Sequence, residues 1–207
     1  DILIYDTPEA NDDMKKDMKE FCTLLYGIDS EIEGIVVDTS IYTKQENPKL
    51  EKTIFFGDDD YYNIFLALVE KSGEFDINLL MGHYFFLGNE KIFDKHFANV
   101  IDEEEYVETI KDSKYLLTAS LQTALESLAC GNKPVLFKRE DKIYDENLIH
   151  ELNLPVIEAD SLKDLLEKFD ASINEYPIIS NFNIINLENI KKEIKEKIDL
   201  YNKLTKQ

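Results

Sequence analysis

The chain has 207 residues, 43% of them hydrophobic and 11% aromatic, with only seven Gly and five Pro, which excludes a coreless disordered chain and leaves room for one large α/β domain or two small ones. Its 43 Asp plus Glu against 23 Lys plus Arg give a formal net charge of −20, a field that repels phosphate backbones and anionic lipid, so neither a nucleic acid nor a membrane surface is expected as partner. Two cysteines, Cys22 and Cys130, build neither a disulfide framework nor a thiolate metal cage, and no apolar run approaches the roughly 18 residues of a spanning helix. A cytoplasmic location is expected. The sequence opens at Asp1 and enters a strand-like run at once, which suggests a piece of a longer protein.

In chain order, short apolar runs alternate with amphipathic stretches, the pattern of βα units around a mainly parallel sheet. Ile2 to Tyr5 reads as a strand, Glu9 to Phe21 as a helix, and Thr23 to Tyr26 and Ile35 to Val37 as two further strands. From Ile41 to Lys52 the composition turns to Lys, Gln, Glu, Asn and Pro, the best candidate for a linker. A regular series follows. Thr53 to Phe56, Ile77 to Met81, Asn99 to Ile101, Tyr115 to Thr118, Pro134 to Phe137 and Val156 to Ile157 read as strands. Helices are expected over Tyr61 to Lys71, Asn89 to Phe97, Glu103 to Lys111, Leu121 to Cys130, Glu146 to Leu152, Ser161 to about Phe169 and Leu187 to Leu204. The expected organisation is a partial N-terminal α/β segment with linker, residues 1–48, and a Rossmann-like domain, residues 49–207, that includes the C-terminal helix.

Ligands of open parallel sheets bind beyond the carboxyl ends of the strands. Three turns there carry candidate chemistry. Thr118-Ala119-Ser120-Leu121-Gln122-Thr123 sets small hydroxyls at a helix start, where free N–H groups suit a phosphate or sugar hydroxyl. Glu126, one turn on, has the acceptors a ribose diol needs. The same residues also read as an N-cap by Ser120 and an exposed Glu. Gly57-Asp58-Asp59-Asp60-Tyr61-Tyr62-Asn63 offers three successive aspartates, which cap the next helix, ligate a divalent cation or lie solvated; the spacing matches no calcium loop. Gly82-His83-Tyr84 holds the one histidine at a strand end, an acid or base by type and more commonly a surface residue. Cys130 beside Gly131 reads as a small buried residue.

Taken in order, these blocks resemble the later part of the UDP-sugar hydrolases of the pseudaminic acid pathway, relatives of the glycosyltransferase-B-like enzymes. Gly57, Asp60 and Asn63 match the family's Gly-Gly-Ser/Thr-Asp-x-x-Asn turn, with Asp58 and Asp59 replacing the second glycine and the hydroxyl residue. Lys114 to Ser120, then Glu126 to Val135 with Gly131 and Pro134, match a later block, and Asp1 to Asp6 with Asp12 to Lys16 are similar to the end of the family's first domain. The resemblance implies a Rossmann-like nucleotide-sugar-binding module of bacterial surface-glycan or nonulosonic acid biosynthesis, carried in some relatives behind a cytidylyltransferase domain. It assigns Thr118, Ser120, Gln122 and Glu126 to the nucleotide side and Gly57, Asp60 and Asn63 to the phosphate or sugar side. The family's Gly-x-Gly-His-x-x-Arg loop is absent from this sequence, so no catalytic residue, metal or cofactor is expected. The partners expected are a nucleotide sugar and an upstream domain or a second copy. Two alternatives stand beside this reading: an interaction or dimerisation module that kept the fold and lost the ligand, and an enzyme completed by an upstream segment.

Overall fold

The computed structural model describes residues 2–5, 11–27, 35–60, 62–71, 73–85, 87–180, 184–185 and 187–205. Contacts divide the chain into two units, residues 1–36 with 183–207, and residues 37–182. The division differs from the expected 1–48 and 49–207: the C-terminal helix groups with the N-terminal segment, and the Lys- and Asn-rich stretch belongs to the larger unit.

In the smaller unit, β1 (Ile2–Tyr5) and β2 (Leu24–Gly27) pair in parallel, with α1 (Asp12–Phe21) between them in the chain. Asn11 caps the helix start at Asp12, accepting from Met14 N at 2.9 Å; the expected start at Glu9 lies outside the described residues. β3 (Ile35–Val36) pairs with β10 (Ile184–Ile185), also in parallel, and α8 (Leu187–Leu204) closes the chain. Tyr26 and Ile190 are the large buried side chains of this unit, and Lys197 Nζ lies 4.4 Å from the Tyr26 ring centre.

The larger unit is built on β4 (Leu50–Phe55), β5 (Phe75–Leu80), β6 (Phe97–Ile101), β7 (Ser113–Thr118), β8 (Lys133–Phe137) and β9 (Val156–Ile157). They form one six-stranded, wholly parallel sheet in the order β6-β5-β4-β7-β8-β9. Counted from β4 this is 3-2-1-4-5-6, the order of dinucleotide-binding doubly wound sheets, with its switch point between β4 and β7. Helices α2 (Ile64–Glu70), α3 (Glu90–Phe93), α4 (Tyr106–Asp112), α5 (Leu121–Ala129) and α6 (Glu146–Leu152) connect the strands, and α7 (Leu162–Asn174) follows β9. The fold class is therefore the expected α/β parallel sheet flanked by helices.

The strands read as continuous apolar runs because both faces are covered. Ile54, Phe56, Leu117, Val135 and Phe137 join a core with Phe65 and Val69 of α2 and Leu162, Leu165 and Phe169 of α7. The alternate residues Phe55, Leu116 and Leu136 are just as buried, and Phe55 meets the Tyr106 ring of α4 edge-on at 5.2 Å. The expected helix over Asn89 to Phe97 is cut to a 3₁₀ turn and the single turn of α3, since Phe97 is claimed by β6, where it stacks on Phe65 at 6.0 Å. Ser161 does cap α7, accepting from Asp164 N at 3.2 Å, and the helix runs on to Asn174.

Candidate functional site at the carboxyl edge of the sheet

The turns after β4 and β7 lie side by side, as the strand order requires, and Ala119 N donates to Phe55 O across them at 3.2 Å. After β4 the chain turns at Gly57, whose φ of +120° is open to glycine alone among common residues. Its path is set by the next loop: a Cβ on Gly82 would lie 2.2 Å from Gly57 O, and Tyr84 N donates to Asp58 O at 2.7 Å.

After β7, Thr118 Oγ1 accepts from Ser120 N at 3.0 Å and Ser120 Oγ accepts from Thr123 N at 3.2 Å, so these hydroxyls shape the entry to α5. Gly57 and Ser120 line one cavity of about 230 Å³, shared with Asp58, Asp59, Leu121 and the β8–α6 loop. Tyr144 straps that loop across the opening, its hydroxyl donating to Ala119 O at 2.9 Å and accepting from Arg139 N at 2.9 Å.

Arg139 is the sole arginine of the sequence and its side chain is 1% exposed. The guanidinium lies over the Phe56 ring at 4.6 Å. One edge is held by Asp141, with Nε to Oδ1 at 2.9 Å and Nη2 to Oδ2 at 2.6 Å. The other meets Asp59: Nη1 donates to its carbonyl and Nη2 to Oδ1 at 3.2 Å. Lys142 Nζ completes the cluster, 2.7 Å from Asp59 Oδ2. Burial opposes the charge on Arg139, yet Asp141 and Asp59 outweigh it and hold the group above its ordinary pKa; Arg139 in turn holds Asp141 below the usual carboxylate range. A larger hollow of about 620 Å³ beyond β8 and β9 shares Arg139, Lys142 and Tyr144 and adds Phe137, Lys138 and Asp160.

The remaining expected site residues are dispersed. Asp60 turns inward, 2% exposed, and accepts from Phe65 N at 2.9 Å and Leu66 N at 2.8 Å. It occupies the amides at the start of α2 that a phosphate would need, so its place is structural. Burial raises its pKa against the pull of those backbone N–H groups. Asn63 is exposed at the mouth of α2 in the left-handed region, φ 53°, and its side chain makes no cap. Gln122 and Glu126 do not line the cavity with Gly57 and Ser120. Glu126 accepts instead from Tyr106 OH at 2.7 Å, from Gln122 Nε2 at 3.3 Å and from Tyr42. Burial raises its pKa, opposed by those donors. His83 is exposed, with Nδ1 3.9 Å from Glu103 Oε1. Cys130 is fully buried. Among the described residues no group of three His, Cys, Asp or Glu side chains is arranged to hold a metal ion, and no helix is long and apolar enough to cross a membrane.

Arg139, Lys142 and Tyr144 were not marked by the sequence motifs. The available signal was the position of the only arginine, two residues after the apolar run Pro134 to Phe137 and hence at a strand's carboxyl end, in a strongly acidic chain.

Strand order and switch-point cavity together define a Rossmann-like α/β domain. No family model matches the chain, and no curated protein matches it. Among solved structures it is similar to the C-terminal domain of a glycosyl transferase group 1 family protein (LpcC) from Francisella tularensis, with 16% sequence identity, a TM-score of 0.42, and 67% of this chain and 88% of that one covered.

Proposed function

We propose that the chain is a nucleotide-sugar-binding module of glycan biosynthesis, of the kind found in UDP-sugar hydrolases and glycosyltransferases, and that it holds its ligand without carrying out catalysis by itself. The supporting observation is the shared cavity of Gly57 and Ser120 at the switch point, flanked by the N-terminus of α5 and by Arg139 and Lys142. The diphosphate then belongs in the cavity lined by Ser120, Leu121, Arg139 and Lys142, and the sugar toward the larger hollow beyond β8. Asp60 and Asn63 drop out of the contact set and Glu126 becomes a support for α4 and α5. The test is calorimetric titration with UDP and UDP-N-acetyl sugars. Wild-type protein releases heat, and Leu121→Glu, which sets a carboxylate in the cavity wall at a helix position that favours it, abolishes the heat. Absence of heat at millimolar ligand refutes the reading.

A second reading, an interaction module that kept the fold and lost its ligand, is favoured by the state of the polar groups: Asp59 and Asp141 already neutralise Arg139, and Ser120 Oγ serves as a cap. Light scattering combined with the titration separates the two. A dimer that binds no UDP supports the second; binding of UDP supports the first, and a strict monomer counts against the second.

A further inference from the structure

We infer that Arg139 and Lys142 form an anion site for the phosphoryl groups of a diphosphate, and that in this structure the chain's own Asp59 fills it. The inference deepens the nucleotide-sugar reading and rests on it for the ligand class. Asp59 presents its carboxylate as a phosphate would: Oδ1 takes Nη2 of Arg139 at 3.2 Å and Oδ2 takes Nζ of Lys142 at 2.7 Å, so one anion bridges two cations on the wall of the 230 Å³ cavity.

The two cations differ in how firmly they are held. The Arg139 guanidinium is fixed by Asp141 and by the Phe56 ring, contacts that do not depend on Asp59. Lys142 is 43% exposed along its side chain and free to follow an incoming anion. Asp59 sits on the loop that begins at Gly57, and its own side chain is 26% exposed, so it has an outward path to water. Asp58 beside it is exposed and makes neither contact, which separates its plain charge from the bridging role of Asp59. A ligand diphosphate therefore competes with Asp59 for the same donors. Its apparent affinity is the intrinsic one multiplied by the fraction of molecules in which the cation pair is open.

The test titrates the full chain with inorganic pyrophosphate and, in parallel, orthophosphate, followed by calorimetry and by the thermal midpoint. Asp59→Ser vacates the bridge and is expected to bind pyrophosphate at least about tenfold more tightly than wild type. Asp59→Asn, which keeps the size and removes the charge, shows a smaller gain in the same direction. Asp58→Ser, matched in net charge, stays near wild type, and Lys142→Ala added to Asp59→Ser abolishes the gain. Equal gains in Asp58→Ser and Asp59→Ser overturn the proposal, since relief of general repulsion then explains both. A gain that survives Lys142→Ala, or no gain in either Asp59 variant, overturns it as well. Orthophosphate bound as tightly as pyrophosphate overturns the assignment to a diphosphate. No nucleoside enters this titration, so its failure is distinct from a failure of UDP to bind wild-type protein.

Discussion

Asp60 separates a structural from a ligand-binding role in a single substitution. Its two carboxylate oxygens accept from Phe65 N and Leu66 N at 2.9 and 2.8 Å, and the residue is 2% exposed. Asp60→Ala leaves both amides without this acceptor, that of Phe65 buried and that of Leu66 partly buried. Each charge-assisted bond contributes about 1.5–3 kcal/mol, and removing a buried carboxylate relieves a desolvation cost that offsets part of the sum. The net expectation is a loss of about 2–4 kcal/mol, at the upper end of cap substitutions because α2 carries Phe65 and Val69 into the core. Asp60→Asn retains one acceptor and sheds the charge, so a loss of roughly half that size is expected. Urea unfolding followed by circular dichroism measures both, with the midpoint lowered and the slope unchanged. The reasoning fails if Asp60→Ala unfolds within about 0.5 kcal/mol of wild type, or if it keeps its stability and loses UDP binding.

Glu126 sets a pH dependence whose sign follows from burial. Its folded pKa lies above the ordinary 4.5, so the folded state binds the proton more tightly, and the associated stability is present below pH 4.5 and lost as pH rises through the folded value. Wild type should therefore lose stability relative to Glu126→Gln as pH rises across that window; a difference that stays constant between about pH 4 and pH 8 in urea midpoints contradicts this. Gly82→Ala forces a Cβ to within 2.2 Å of Gly57 O and is expected to cost roughly 2–4 kcal/mol, whereas Gly88→Ala, with nothing within 4 Å, melts close to wild type. Equal melting temperatures for the two would refute the packing of the Gly57 loop. Cys130 is fully buried and its thiol is pushed up to about 11, while Cys22 is partly exposed. Ellman's reagent should then titrate one thiol in native buffer and two in denaturant, and two fast thiols in native buffer would contradict the buried placement.

Local sequence was enough for the type and order of the elements other than the two-residue β10, which no pattern marked, because side-chain period and capping act within a few residues. α6 and α8 and the strand Val156–Ile157 have the bounds expected from their patterns, and Ser120 and Ser161 sit at their helix starts. The alternation of strands and helices likewise determined a parallel α/β sheet. Tertiary structure alone decided which turns meet. Setting β4 between β5 and β7 brings Gly57 beside Ser120, though about sixty residues of chain separate them, and the loop after β8 delivers Arg139 to the same place. It also settled the fate of each carboxylate: Asp58, Asp59 and Asp60 are chemically alike and adjacent, yet one is exposed, one bridges two cations and one caps a helix from inside. Those roles depend on the path of the loop through space and on partners up to 83 positions away, which no local pattern encodes.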